Sequence, residues 1–145
     1  MHPARRHLTE DHARLEALFR ALENALESGE RSTVQRAWTE FESALSTHFE
    51  AEERWLFPLL VEEHAADVRE LRAEHEKILK CIAEEGLEAD LCTLEKETVD
   101  ELLADLRAHA AREDRTVYAW LETVREPGKL EELVAALVKK ASGIV

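Results

Sequence analysis

Two HxxxE sequences carry the chemistry of this 145-residue chain: His48-Phe49-Glu50-Ala51-Glu52 and His109-Ala110-Ala111-Arg112-Glu113. On a helix, residues four apart lie one turn apart on one face, so each pair aims an imidazole and a carboxylate the same way. His12 and His75 stand as single histidines elsewhere. A glutamate can bridge two metals with its two oxygens. A histidine binds a metal through one nitrogen and keeps the other for a supporting hydrogen bond. Mixed imidazole and carboxylate donors suit iron, manganese or zinc rather than calcium or magnesium. Four nitrogens, four bridging oxygens, and a bridging oxo or hydroxo group counted once per metal fill about ten of the roughly twelve positions of two octahedral ions. About two positions stay open for solvent or a small ligand, whereas a closed structural site leaves none.

Positioning these residues requires helices. Gly and Pro number only 7 together, and Ala, Leu, Glu and Arg dominate, a composition that favours helix. A first helix is expected from about Thr9 to Ser28, ended by Gly29, with the seam Leu8, His12, Leu15, Phe19, Leu22, Leu26 in steps of four and three. A second starts near Ser32 and runs past Pro58, which kinks it or ends its regular part. Its seam is Val34, Trp38, Phe41, Leu45, His48, Glu52, Trp55, Leu59. A third covers about Ala66 to Glu85, stopping before Gly86, with Val68, Leu71, His75, Ile78 and Ile82 on its seam. A fourth covers about Leu94 to Arg125, with Leu102, Leu106, His109, Glu113, Val117, Trp120 and Val124. A short amphipathic segment, Leu130 to Ala141, should pack on the bundle or on a second copy, and would be the contact of a homodimer. The expected fold is all-α: a single domain, an up-down-up-down antiparallel four-helix bundle with a short C-terminal helix.

His12, His48, Glu52, His75, His109 and Glu113 thus interrupt four apolar seams, where an unpartnered imidazole or carboxylate costs several kcal/mol, roughly. One buried histidine is ordinarily a satisfied core residue. Six polar residues on four seams need a common cause. Antiparallel neighbours place residues equidistant from a turn side by side. The midpoints between successive members of the set fall near residues 31, 62 and 93. Each coincides with an expected turn: Gly29 to Ser32, the stretch between Pro58 and Asp67, and Gly86 to Thr93. The six residues therefore belong to one layer.

The order His, HxxxE, His, HxxxE resembles the hemerythrin-like, or HHE cation-binding, family. Glu10-Asp11-His12-Ala13-Arg14-Leu15 looks like the family's opening, and His48-Phe49-Glu50-Ala51-Glu52-Glu53-Arg54-Trp55-Leu56-Phe57-Pro58 is similar to its most recognisable stretch. Glu74-His75-Glu76 and His109 to Asp114 supply the rest, so the resemblance covers about residues 8 to 125. It implies a non-haem di-iron centre that binds dioxygen or a related diatomic ligand. Two departures stand out. Oxygen-carrying members place a second histidine one turn after the first on the third helix, where this chain has Leu79. Their fourth helix uses HxxxxD, a spacing Asp114 would fit. Glu113 is favoured because it lies about 40° round the helix from His109, against about 140° for Asp114.

Other residues were weighed against this layer. His2, His7 and His64 read as solvated histidines, and Glu53, about 100° round the helix from Glu52, as a surface carboxylate or, alternatively, an acceptor behind a layer histidine. Tyr118 falls on the opposite side of a continuous fourth helix from His109, which makes a phenolate ligand improbable. Trp38, Phe41, Trp55, Phe57 and Trp120 read as core. The ExxH pairs of ferritin-like oxidases and the HExxH of zinc proteases are absent.

A formal net charge of −13 repels phosphate backbones and anionic lipid, which argues against nucleic-acid and membrane partners. No apolar run reaches the ~18 residues of a membrane span. The basic start lacks a signal peptide's apolar stretch. Cys81 and Cys92 read as two reduced thiols. A cytoplasmic protein is expected. The leading functional expectation is a two-iron protein that binds dioxygen or a related ligand, or senses iron, oxygen or redox state. The alternatives are a di-iron enzyme acting on peroxide or nitric oxide, and a metal-free helical interaction module.

Overall fold

The computed structural model describes residues 1–90 and 93–141, and every regular element among them is helical. Helix α1 spans Pro3–Ser28. It starts six residues earlier than Thr9 would allow, because His2 Nδ1 accepts a hydrogen bond from Ala4 N at 3.1 Å and Pro3 occupies the first turn. The added turn buries Ala4. Gly29 ends α1 in the left-handed region, with φ 70°, and donates its N–H to Ala25 O.

Helix α2 spans Arg31–Ala51 and passes into one π-helical segment, Glu52–Leu56. The regular α-helical part ends ahead of Pro58, and the helix resumes at Phe57 and runs through the proline. A proline ring crowds the carbonyl four residues back and offers no N–H. Here the wide turn, closed by Phe57 N–H to Glu52 O, absorbs that demand upstream and the helix continues. Helix α3 follows as Phe57–Asp90, broken at His64 (φ −130°, ψ 38°). Residues 57–63 complete the second arm of the bundle and residues 65–90 form the third. The third arm passes Gly86 instead of stopping there, since the next turn still buries Ala89. Cys92 and the middle of the expected third turn lie outside the described residues.

Helix α4 spans Lys96–Arg115, and α5 is a single turn, Val117–Trp120, followed by a 3-10 turn, Leu121–Thr123. The expected continuous fourth helix is therefore interrupted at Thr116 (φ −114°, ψ −94°). Thr116 Oγ1 donates to Arg112 O at 2.8 Å, a side-chain bond that competes with the regular ladder. Helix α6, Pro127–Ala141, packs against α1. Leu133 and Leu137 are buried there, whereas Val138 stays exposed.

Around the bundle, α1 contacts α2 and α4, and α3 contacts the same two. The apolar interior divides in two. One half gathers Leu15, Phe19, Trp38, Phe41, Leu45, Ile78 and Leu106. The other gathers Leu8, Leu56, Phe57, Leu71, Val117, Leu121 and Leu133. The polar layer lies between them. No helix among the described residues is long and apolar enough to cross a membrane.

Candidate metal centre

Each helix delivers its polar residues where its seam passes from one apolar half to the other. Leu8 and Leu15 flank His12, Leu45 and Leu56 flank His48 and Glu52, Leu71 and Ile78 flank His75, and Leu106 and Val117 flank His109 and Glu113. The structure brings all six together. Glu52, His75 and Glu113 are completely buried, and His48 and His109 nearly so.

On the inner side, every histidine presents Nε2. His12 Nε2 lies 3.2 Å from Glu113 Oε1, and His109 Nε2 3.3 Å from Glu113 Oε2. His48 Nε2 and His75 Nε2 each lie 3.3 Å from Glu52 Oε1. The Nε2 atoms of His75 and His109 face each other at 3.1 Å. These donors form two overlapping groups, His12–His48–Glu52–Glu113 and Glu52–His75–His109–Glu113, with one ligand atom from each residue within 4.8 Å of the others. Both carboxylates belong to both groups.

On the outer side, every Nδ1 meets a carboxylate. His48 Nδ1 pairs with Asp11 at 2.5 Å and His109 Nδ1 with Glu74 at 2.8 Å. His75 Nδ1 pairs with Glu53 at 3.3 Å and His12 Nδ1 with Asp114 at 3.2 Å. A carboxylate can only accept, so Nδ1 carries the proton and a neutral ring turns its Nε2 lone pair inward. Each helix thereby supplies the carboxylate for the histidine of the next: α1 to α2, the second arm to the third, the third to α4, and α4 back to α1. Arg14 holds Asp11 at 2.8 Å, and Arg112 holds Glu74 and Glu70. His75 is stacked on Phe49 with ring centroids 3.8 Å apart, which fixes its plane.

Protons redistribute accordingly. Burial alone would push the imidazoles of His12 and His75 down, but hydrogen bonds and charges from the surrounding carboxylates outweigh it and raise both to about 10. His109 is raised against the same burial, chiefly by Glu113. Burial, then the charge of Glu113, raises the Glu52 carboxyl. For Glu113 burial acts upward too, yet its contacts with Glu52, His109, His12 and His75 hold it well below the usual range.

Three buried carboxylate oxygens, Glu52 Oε1, Glu113 Oε1 and Glu113 Oε2, have no hydrogen-bond partner. Buried polar atoms are almost always paired. A cation between these groups would satisfy all three and reconcile the opposed nitrogens of His75 and His109, so the residues present fit a metal.

Residues 4–121 match the Hemerythrin HHE cation binding domain. The chain belongs to this family. Nothing matches it among curated proteins or among solved structures. This HHE domain is accordingly a cation-binding domain, and its donor groups are imidazole and carboxylate.

Around the layer of the HHE domain, Glu53 and Asp114 take up the Nδ1 protons of His75 and His12, so of the two readings of Glu53 the acceptor one holds. Glu113 lies in both donor groups and Asp114 in neither. Leu79 is 37% exposed, at the surface rather than in the layer. His2 caps α1, and His64 stacks on Trp120 with centroids 3.6 Å apart.

Tyr118 is the main correction. Opposite His109 on a continuous helix, it is instead buried in the layer. Its hydroxyl donates to Glu52 Oε2 at 2.7 Å and lies 2.8 Å from His12 Nε2 and 3.2 Å from His48 Nε2. The break at Thr116 resets the helical phase and turns the ring inward. The signal in the sequence is slight: a β-branched residue with a hydroxyl able to bond its own helix, two positions before an aromatic.

Beside the layer lies a cavity of about 180 Å³. His12, His48 and His109 line it on one side, Leu15, Phe19 and Leu106 on the other. Arg107, paired with Glu16 and Glu23 at 2.9 and 3.0 Å, stands between α4 and α1 next to it.

Proposed function

We propose that this HHE domain holds two iron ions, one in each donor group, and binds dioxygen or a related diatomic ligand at them, as a carrier or as a sensor of oxygen, iron or redox state. The observation that carries the reading is the sharing of Glu52 and Glu113 by two groups that each add two histidines. One ion would leave two imidazoles without a partner. His12 and His48 would hold the first ion, His75 and His109 the second, and the two glutamates would join them.

When bound, such a pair supplies Lewis acidity and electrons to a small ligand. The chain's own residues set the conditions. Asp11, Glu53, Glu74 and Asp114 orient the rings and keep Nε2 available. Phe49 and the aliphatic side chains beside the layer keep bulk water away. The adjoining cavity, at about 180 Å³, accommodates a few water-sized molecules and thus a diatomic ligand.

The test is to load the protein anaerobically with ferrous iron, count metal per chain, and admit air while recording the visible spectrum. Two irons and a band that reverses on removing oxygen are expected. One iron per chain overturns the two-ion reading, and irreversible oxidation overturns reversible binding.

A further inference from the structure

Tyr118 places its hydroxyl oxygen among three donor atoms of the layer. A phenol has one hydrogen to donate, yet its oxygen stands within 3.2 Å of His12 Nε2, His48 Nε2 and Glu52 Oε2 together. All three atoms belong to residues of the same donor group. An oxygen surrounded by donor atoms of one group, with its ring clamped in the apolar half formed by Val117, Leu121 and Leu8, stands where a ligand stands. In the other donor group, the Nε2 atoms of His75 and His109 meet each other, and no hydroxyl among the described residues reaches either of them as Tyr118 reaches His12 and His48.

We infer that Tyr118 is a seventh protein ligand, donating a phenolate oxygen to the ion held by His12 and His48. This inference rests on the metal-binding reading above. As the oxygen–metal bond forms, the phenol O–H bond breaks and its proton leaves to solvent; no electron is transferred. The two ions then differ. An ion held by His12 and His48 would gain a hard anionic donor that favours the ferric state, and one held by His75 and His109 would have no such donor.

Tyr118 is the single tyrosine of the chain, so any tyrosinate signal is its own. The experiment uses the intact protein, loaded anaerobically with ferrous iron, assayed for iron per chain, and oxidised with ferricyanide. A phenolate-to-ferric charge-transfer band in the visible, with tyrosine ring modes enhanced in resonance Raman, is expected. Tyr118→Phe, nearly isosteric, should keep its helix content and its iron while losing both signatures. Iron bound without tyrosinate modes in the unmodified chain overturns the phenolate ligand alone. Absence of bound iron overturns this inference and the two-iron reading together. A band that persists unchanged in the phenylalanine variant also overturns it.

Discussion

His75 and His109 aim their Nε2 atoms at each other across 3.1 Å, although each already spends Nδ1 on a carboxylate. Two neutral rings so arranged oppose their lone pairs. Either a proton or a cation must lie between them. A bound cation that prefers the folded chain stabilises it by mass action, about 2.7 kcal/mol when free metal is 100 times Kd. Thermal unfolding followed by circular dichroism should therefore shift upward on adding ferrous iron or zinc, and return on adding a chelator. An unchanged midpoint with either metal would count against a buried cation.

Removing one imidazole separates the two donor groups. His109→Ala strips the group that contains His75 and leaves His12 and His48 intact. Iron per chain should fall to about one, measured on the isolated variant by metal analysis. Two irons retained in His109→Ala would remove His109 from the ligand set.

The supporting carboxylates have their own expected effect. Asp11 lies 2.5 Å from His48 Nδ1. Asp11→Asn keeps the shape but loses the charged acceptor that fixes the ring's orientation, and should weaken metal binding roughly 10–100-fold. A competition titration against a coloured chelator reads this directly. An affinity equal to the unmodified protein's would show that Asp11 does not tune His48.

Stability of the metal-free chain should depend on pH with a definite sign. His12 and His75 are raised to about 10 in the fold from 6.5 ordinarily. Their contribution is therefore complete below about 6.5 and is lost as pH rises toward 10. Glu113 is held well below 4.5, so its contribution exists above 4.5 and is lost on acidification. Urea unfolding of the chelated protein should give its highest midpoint between these limits and decline on the alkaline side. Metal displaces the same protons, so calorimetric titration in buffers of different ionisation heat should show proton release. A midpoint that climbs steadily to pH 10 would contradict the assigned protonation.

Helix α6 offers a test that leaves the metal layer untouched. Leu133 is completely buried against the bundle. Leu133→Ala should cost about 2–5 kcal/mol of unfolding free energy, while iron per chain stays unchanged. A loss under about 0.5 kcal/mol, the size typical of surface positions, would mean that α6 packs loosely.

The layer itself was legible in the sequence because level is arithmetic. Turns at Gly29 and near His64 bring the His48–Glu52 pair level with His12 on one side and His75 on the other, and the seams tell which residues face inward. Partners of the outer nitrogens were harder to see. Asp11, Glu53, Glu74 and Asp114 each adjoin a layer residue in sequence, but each serves a histidine on another helix, and seam periodicity does not report contacts off the seam. Tyr118 was hidden for another reason. Its placement depends on the local dihedrals of Thr116, and counting residues at 100° apiece assumes no such break. At Pro58 the helix continues because the backbone widens upstream of it, in the π segment Glu52–Leu56, which residue counting does not reveal.

The circular hand-over of carboxylates has one more consequence. Every helix both gives and receives: α1 aims His48 and is aimed by α4, and so on around the ring. Taking away one helix removes its own donor and also leaves a neighbour's imidazole unsteered, so half a bundle does not keep half a site. A slip of one residue in any helix turns it by about 100° and exchanges an inward donor for the acid beside it. Asp11 would stand where His12 belongs, or Glu53 where Glu52 belongs. Cation binding in this domain is thus a check on alignment: the donors converge only when four separate helices have stopped at the same height.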